Sequence, residues 1–448
     1  MGCCCFSPIR FNIFFLLCSS MDLNFIHGSD FHLGYVQYNL HERFLDLAHT
    51  FKAFIEYGLE HDVDFILIAG DLFEKRNINA PTYLQAYRVL SWLQGECKSR
   101  GREPIPVIVI EGNHDLAYHR DRNSWLQILD SQGLLRLLKS SHIDGLRLDY
   151  VDVGGCRIFG VEYLGAFILQ SIPLIGEEID KINNDSDRFT ILMMHFGMEG
   201  RARSEIAGEI PYNTLLQLRE CVDYLALGHY HTRYEYDGWV YNGGSPETLS
   251  LNEYGIEKGF YHVAGEGARF VELTTRPFKH LSCQISSIKT PHELSLLLRS
   301  MVESEAPINS KLSPIVELTL WGNLNFPKKD IPTSDLKKII ADRFNPLHTD
   351  VHVKYSSDPY LPNIRGMSRE AIETKILTEQ VLQDGRYRSH VKQVVRDVLW
   401  AKKLALQRAG EDEITRRLKE SFEEMEAEDK GHKNGEIEKL SFVKGDPG

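Results

Sequence analysis

Five short segments of this 448-residue chain concentrate side chains that could handle metal ions and phosphate. They are Ser29-Asp30-Phe31-His32, Gly70-Asp71, Glu111-Gly112-Asn113-His114-Asp115, Met194-His195-Phe196-Gly197 and Leu227-Gly228-His229-Tyr230-His231. As candidate metal ligands, Asp30, His32, Asp71, Asn113, His195, His229 and His231 supply two carboxylates, one amide and four imidazoles. Such a mixed oxygen and nitrogen set suits manganese, iron, zinc or cobalt better than calcium or magnesium. The matching chemistry is hydrolysis of a phosphate ester. Two divalent ions about 3.5–4 Å apart bind the phosphate, generate hydroxide and neutralise the charge of in-line displacement. Asp71 is the carboxylate expected between the ions. Glycines 70, 112 and 228 leave room for sharp turns and close backbone approach. A single Asp or His at a strand end is usually a turn or cap residue, but five such clusters in series make a site. His27, His41, His49, His61 and His119 are read as packed or surface imidazoles.

The clusters need a scaffold that brings strand ends together. Short apolar runs at Leu23–Ile26, Phe65–Ala69 and Val107–Ile110 are β-branched and bounded by Gly or Pro, as buried strands are. Helical spacing falls between them, at Glu42–Glu60 and Thr82–Leu93. Strand–helix alternation predicts a largely parallel sheet covered by helices, with ligands gathered beyond the carboxyl ends of its strands. Arg157–Val161, Thr190–Met194 and Tyr224–Leu227 are further strands, and Lys258–Val263 with Ala268–Leu273 reads as a hairpin. From Arg276-Pro277 the texture changes to a compact α+β module. In it, Thr290-Pro291-His292-Glu293 opens a helix to about Ser304, and a strand at Ile315–Trp321, a helix at Ser334–Phe344 and a strand at Val351–Tyr355 follow. Ser356–Gly366, with two prolines and a glycine, reads as a linker. Beyond it only helical patterns appear, with faces formed by Ile372, Ile376 and Leu377, by Val391, Val394, Val395, Val398 and Leu399, and by Ile414, Leu418, Phe422 and Met425.

Composition is permissive. A net charge of −12 does not advertise nucleic-acid binding, but a local basic groove suffices, and metals in an acidic pocket reverse the local field. Four of the eight cysteines crowd the first 18 residues and the rest are scattered, so neither a zinc knuckle nor a disulfide framework is indicated. A reducing compartment fits that usage. The apolar run at 11–18 is too short to span a membrane, and Met21 directly precedes the first strand. Residues 1–20 are therefore read as a misassigned start or a disordered leader, and no other membrane span is expected.

The series Asp30-x-His32, Gly70-Asp71, Gly112-Asn113-His114-Asp115, His195 and Gly228-His229-x-His231 resembles the calcineurin-like metallophosphoesterases. Asp30-Phe-His-Leu-Gly34 and Phe65-Ile-Leu-Ile-Ala-Gly-Asp-Leu-Phe73 are similar to the SbcD-type DNA-repair nucleases within them. The resemblance covers about Met21 to Tyr355. It implies a four-layer α/β/β/α metallophosphoesterase domain with a small α+β capping domain and a C-terminal helical arm. The boundaries would be 21–275 for the nuclease domain, 276–356 for DNA capping, 357–366 for the linker, 367–429 for the arm and 430–448 for a disordered tail. It also implies two divalent ions per subunit, Mn²⁺, one held by Asp30, His32, Asp71 and His231 and the other by Asp71, Asn113, His195 and His229. His114 would protonate or stabilise the leaving group, with Asp115 orienting its ring.

The implied work is 3′→5′ exonuclease and single-strand or hairpin endonuclease action on DNA ends. The implied setting is a cytoplasmic, nucleoid-associated homodimer whose C-terminal helices bind an SbcC-type, SMC-like ATPase. The resemblance departs at Glu74, where archaeal and eukaryotic members carry a histidine linked to exonuclease activity, so the division between exonuclease and endonuclease work is not carried over. Lys75, Arg76, Arg120, Arg122, Arg201 and Arg203 follow ligand clusters and are candidate, sequence-independent phosphate contacts. Two rivals are a two-metal phosphoesterase acting on nucleotides or other small phosphoesters, and a metal-depleted binding scaffold.

Overall fold

The computed structural model describes residues 23–117, 123–141, 145–184, 188–201, 209–265 and 267–354, together with 371, 373–375, 377–378, 381, 390–406 and 414–423. The leader at 1–20, the linker at 357–366 and the tail at 430–448 lie outside the described residues, as do Arg120, Arg122 and Arg203. The chain divides into two compact units, Met1–Tyr355 and Ser356–Gly448.

Strands are numbered in chain order. In the first unit β1 (Phe25–Gly28), β2 (Phe65–Ile68), β3 (Val107–Val109) and β4 (Arg136–Leu137) run parallel. The antiparallel hairpin β12 (Gly259–Ala264) and β13 (Gly267–Glu272) extends them into a six-stranded sheet ordered β13-β12-β1-β2-β3-β4. The second sheet contains β5 (Ser140–Ser141), β6 (Arg147–Val153), β7 (Cys156–Val161), β8 (Phe189–His195), β9 (Tyr224–Gly228), β10 (Tyr234–Tyr236) and β11 (Val240–Asn242), ordered β10-β11-β9-β8-β7-β6-β5.

The two-residue side-chain period of each strand assigns its neighbours to opposite layers. Phe65 and Leu67 join Ile191, Met193 and Tyr224 in the core between the sheets. Ile66 and Ile68 instead meet Phe51, Phe54 and Ile55 of helix His41–Glu60, and Leu90 and Leu93 of helix Ala80–Ser99. On the far side, Leu192 and Met194 pack against Ile172, Ile175 and Ile179 of helix Ile168–Asn183. Four layers, α/β/β/α, follow directly. Asn79 sets the start of the helix at Ala80, its side chain accepting from Thr82 N at 3.0 Å.

The module after Arg276 is more regular than expected. Its strands β14 (Phe278–Gln284), β15 (Ile315–Trp321) and β16 (His348–Lys354) are parallel in that order, with helices Pro291–Ser304 and Thr333–Phe344 in the crossovers. The sequence reading passes over β14 because Lys279, His280, Ser282 and Gln284 dilute its apolar signal to Phe278, Leu281 and Cys283. At the junction, Asp46 accepts from Arg43 Nη1 at 2.6 Å and from Arg276 Nε and Nη2 at 2.6 and 2.9 Å, and all three side chains are buried. Tyr38 adds a second tie by donating its hydroxyl to Glu317 of β15.

In the second unit, helix Val391–Leu406 packs against helical residues 414–423. Gln393 Nε2 donates to Ser421 Oγ at 3.1 Å, and the Arg417 guanidinium lies 4.2 Å from the Trp400 ring centroid. Those pairings make the two segments antiparallel. Among the described residues, no helix is long and apolar enough to cross a membrane.

Candidate metal centre

All five clusters meet at one rim because β1, β2, β3, β8 and β9 deliver their C-terminal ends there. Asp30 follows β1, Asp71 follows β2, Asn113 follows β3, His195 ends β8 and His229 follows β9. Backbone hydrogen bonds lock the loops together, Asp30 N to Gly70 O at 3.0 Å and His32 N to Asp71 O at 3.1 Å. Asp30, His32, Asp71 and His229 have φ of 55°, 47°, 52° and 92°. Such left-handed backbone costs on the order of 1–3 kcal/mol per non-glycine residue and concentrates at functional sites. Four of the nine such non-glycine residues described are candidate ligands, so the rim carries a concentration of backbone strain. Gly112 is required there, since a Cβ on it would lie 2.1 Å from Asp71 Oδ1.

The donor atoms form three overlapping groups. Asp30, His32 and His231 present ligand atoms all within 4.8 Å of one another, and so do His32, Asp71 and His114, and Asp30, Asp71 and His195. His32 Nε2 and His231 Nε2 face each other at 3.1 Å. Asn113 Oδ1 stands 3.2 Å from His195 Nε2 and 3.0 Å from His229 Nδ1. Asp71 looks toward both His195 and His32, with Oδ2 3.2 Å from His195 Nε2 and 3.9 Å from His32 Nε2.

The hydrogen-bond roles show that this set fits cations. His195 Nδ1 lies 2.7 Å from the carbonyl of Ala69, which can only accept, so Nδ1 carries the proton. In the neutral ring the Nε2 lone pair then faces Asp71 Oδ2 and Asn113 Oδ1, which are acceptors too. Three acceptors converging on one point call for a metal ion or a proton. Burial works against protonating His195, yet the Asp71 carboxylate outweighs it and pushes the imidazole up to about 9. Burial likewise opposes charge on Asp71, and His195 and then His32 overcome it, holding the carboxyl below the ordinary range.

One expectation about the surrounding residues changes. Asp115 does not orient the His114 ring. The backbone carbonyl of Glu74 accepts from His114 Nδ1 at 2.6 Å, while Asp115 accepts from the amides of Leu72, Phe73 and Gly112 at 3.2, 3.0 and 3.1 Å. An aspartate one residue after His114 points into the turn, where it ties the Asp71 loop to the Asn113 loop. Burial and then the Asp71 charge push its carboxyl up to about 8. The side chain of Glu74 also enters the site, 2.9 Å from His32 Nδ1 but outside hydrogen-bonding geometry.

The basic loops divide as well. Arg76 reaches the carbonyl of Asn113 at 3.4 Å, so it lies at the pocket. Lys75 is exposed, and Arg201 lies over the Tyr236 ring at 4.4 Å. Sequence reasoning missed Glu253, whose Oε1 accepts from His231 Nδ1 at 2.9 Å, and Lys258, which donates to Glu253 Oε2 at 2.6 Å. No local pattern marks them, because both act only after the chain returns to the rim.

Residues 23–233 match the family model of the calcineurin-like phosphoesterases, and the chain carries a metallophosphoesterase domain of that kind. Within that class it is similar to DNA double-strand break repair proteins of the Mre11 type. It is 29% identical over 322 residues to the DNA double-strand break repair protein Mre11 of Archaeoglobus fulgidus, covering 65% of this chain and 68% of that protein. Against the Mre11 of Sulfolobus acidocaldarius it is 24% identical over 393 residues, 81% of this chain and 95% of that one. For the Mre11 of Methanosarcina acetivorans the match is 27% identity over 61% of this chain, and it spans only 42% of the relative.

Proposed function

We propose that the chain is the nuclease subunit of a DNA double-strand-break repair complex, hydrolysing phosphodiesters at DNA ends with two bound Mn²⁺ ions. The observation that carries this reading is the convergence of lone pairs from His195, Asp71 and Asn113, beside a second donor group that shares the same pocket. Asp30, His32, Asp71 and His231 would hold one ion and Asp71, Asn113, His195 and His229 the other. When bound, such ions polarise the phosphate and bring water to hydroxide near neutral pH.

The chain's own groups do the rest. With Nδ1 given to Glu74 O, His114 keeps Nε2 for the leaving oxygen and can deliver a proton there. Asp115 fixes the two loops that carry Asp71 and Asn113. Arg76 and Lys75 flank the pocket and would steer backbone phosphates toward it without reading bases. The module at 276–356 would cap the DNA. The helical arm at 367–429 would bind the SMC-like ATPase in a homodimeric assembly acting on nucleoid DNA in the cytoplasm.

The test is an assay of the purified protein on 3′-labelled duplex and on a DNA hairpin, in Mn²⁺ and in Mg²⁺, alongside small phosphoesters. Shortening of the duplex and nicking of the hairpin, stronger in Mn²⁺, are expected. Turnover of the small esters with both DNAs intact would replace the nuclease reading with that of a small-molecule phosphoesterase.

A further inference from the structure

His231 differs from His195 and His32 in how its ring is held. The side chains of His195 and His32 are 0% and 2% exposed and are fixed by the packing around them, whereas that of His231 is 31% exposed. Something other than packing must orient it. Behind it lies a polar cluster that no ligand role accounts for. Glu253 Oε1 accepts from His231 Nδ1 at 2.9 Å and from Ser250 Oγ at 3.3 Å. Its Oε2 accepts from Lys258 Nζ at 2.6 Å, from Ser245 Oγ at 3.0 Å and from Leu249 N at 3.1 Å. Lys258 Nζ also donates to Ser245 Oγ at 2.8 Å.

Five donors on one carboxylate leave it no freedom to rotate. Lys258 immediately precedes β12, so the anchor stands on the central sheet and not on a free loop. Both side chains are buried, at 7% and 4% exposure. Burying an ion pair is costly or neutral compared with apolar residues of the same volume, so stability alone does not explain the pair.

We propose that Glu253, anchored by Lys258, is a positioning residue that fixes the Nδ1–H tautomer of His231 and aims its Nε2 lone pair at the ion shared with Asp30 and His32. The inference rests on the two-metal reading above. A carboxylate behind an imidazole sets both ring angle and donor strength, and its loss weakens metal binding by about 10–100-fold. His195, backed only by the carbonyl of Ala69, has no such support, so the effect is confined to one of the two ions.

The experiment is calorimetric titration of the full chain with Mn²⁺, paired with low-temperature EPR, for wild type, Glu253→Ala and Lys258→Met. Wild type is expected to bind two ions and give a spin-coupled signal. Glu253→Ala should lose about 10–100-fold at one site and none at the other, leaving the six-line signal of an isolated ion. Lys258→Met should fall between the two. If Glu253→Ala does not fold, Glu253→Gln combined with Lys258→Met supplies a neutral, nearly isosteric pair, expected to weaken one site about tenfold. Two sites of wild-type affinity in these variants would overturn the positioning role. Wild type that binds no Mn²⁺ would instead overturn the metal reading, and this inference with it.

Discussion

Two regions of the phosphoesterase domain each bury a histidine completely and treat it in opposite ways. In the seam between the sheets, His27 of β1 has Nδ1 3.0 Å from the Tyr224 hydroxyl and Nε2 3.1 Å from the carbonyl of Leu227. Both partners are neutral, and burial pushes the imidazole down to about 4. At the rim, His195 is just as deep, but the Asp71 carboxylate beside it reverses the outcome to about 9. Burial raises the stakes and the partner decides the sign. The seam is built to keep an imidazole neutral. The pocket is built to hold positive charge at the same point, whether the charge is a proton or a metal ion.

The largest test of that contrast is Asp71→Asn, which keeps the shape and removes the charge. Both ions share Asp71 in the proposed site, so Mn²⁺ affinity should fall at least about a hundredfold, more than loss of an outer carboxylate causes, and DNA cleavage should vanish. In the metal-free variant, the His195 titration followed by NMR should drop from about 9 toward the His27 value. A His195 that stays near 9 would break the comparison.

Next comes His114, which gives one ring nitrogen to the Glu74 carbonyl, whereas both nitrogens of His27 are engaged. Its replacement by alanine should lower kcat by about 10²–10⁴ while calorimetry finds Mn²⁺ binding unchanged. Parallel losses of metal and rate would make His114 a ligand instead of a proton donor.

The smallest effect lies in the seam. The folded pKa of His27 is near 4 and the unfolded value is 6.5, so the unfolded chain takes up the proton first as pH falls. This contribution to stability is therefore intact above pH 6.5 and is lost progressively as pH drops through 4, by about 3 kcal/mol in all. His27→Gln should flatten that limb in urea unfolding measured between pH 7 and pH 4. Equal slopes in the two proteins would show that the seam does not control acid stability.

The ligand clusters were legible because each sits where a short apolar run stops, and chain order alone carries that signal. Helix Ile168–Asn183 is hard to read from the sequence although Ile172, Ile175 and Ile179 recur at helical spacing, since Pro173 and Gly176 interrupt the pattern. Strand β14 was lost to polar dilution. Glu253 and Lys258 could not be read at all, because 22 residues, including β10 and β11, separate Glu253 from the histidine it holds. The role expected for Asp115 failed for a related reason. Adjacency in sequence suggested contact with His114, but the turn aims the carboxylate at backbone amides across the loop.

The Arg43–Asp46–Arg276 junction bears on how this protein can be taken apart or recombined. A fragment cut at 275, where the texture of the sequence changes, discards Arg276 and leaves Asp46 with one cationic partner in place of two. In the intact chain, where all three side chains are buried, Arg276→Ala should cost about 3–5 kcal/mol, a large share of the stability of any single domain. The same cut strips Tyr38 of its acceptor on Glu317. A chimaera that borrows the β14–β16 module from another chain must therefore bring an arginine to the place of Arg276. Its crossover point belongs outside the junction and not at the change of texture.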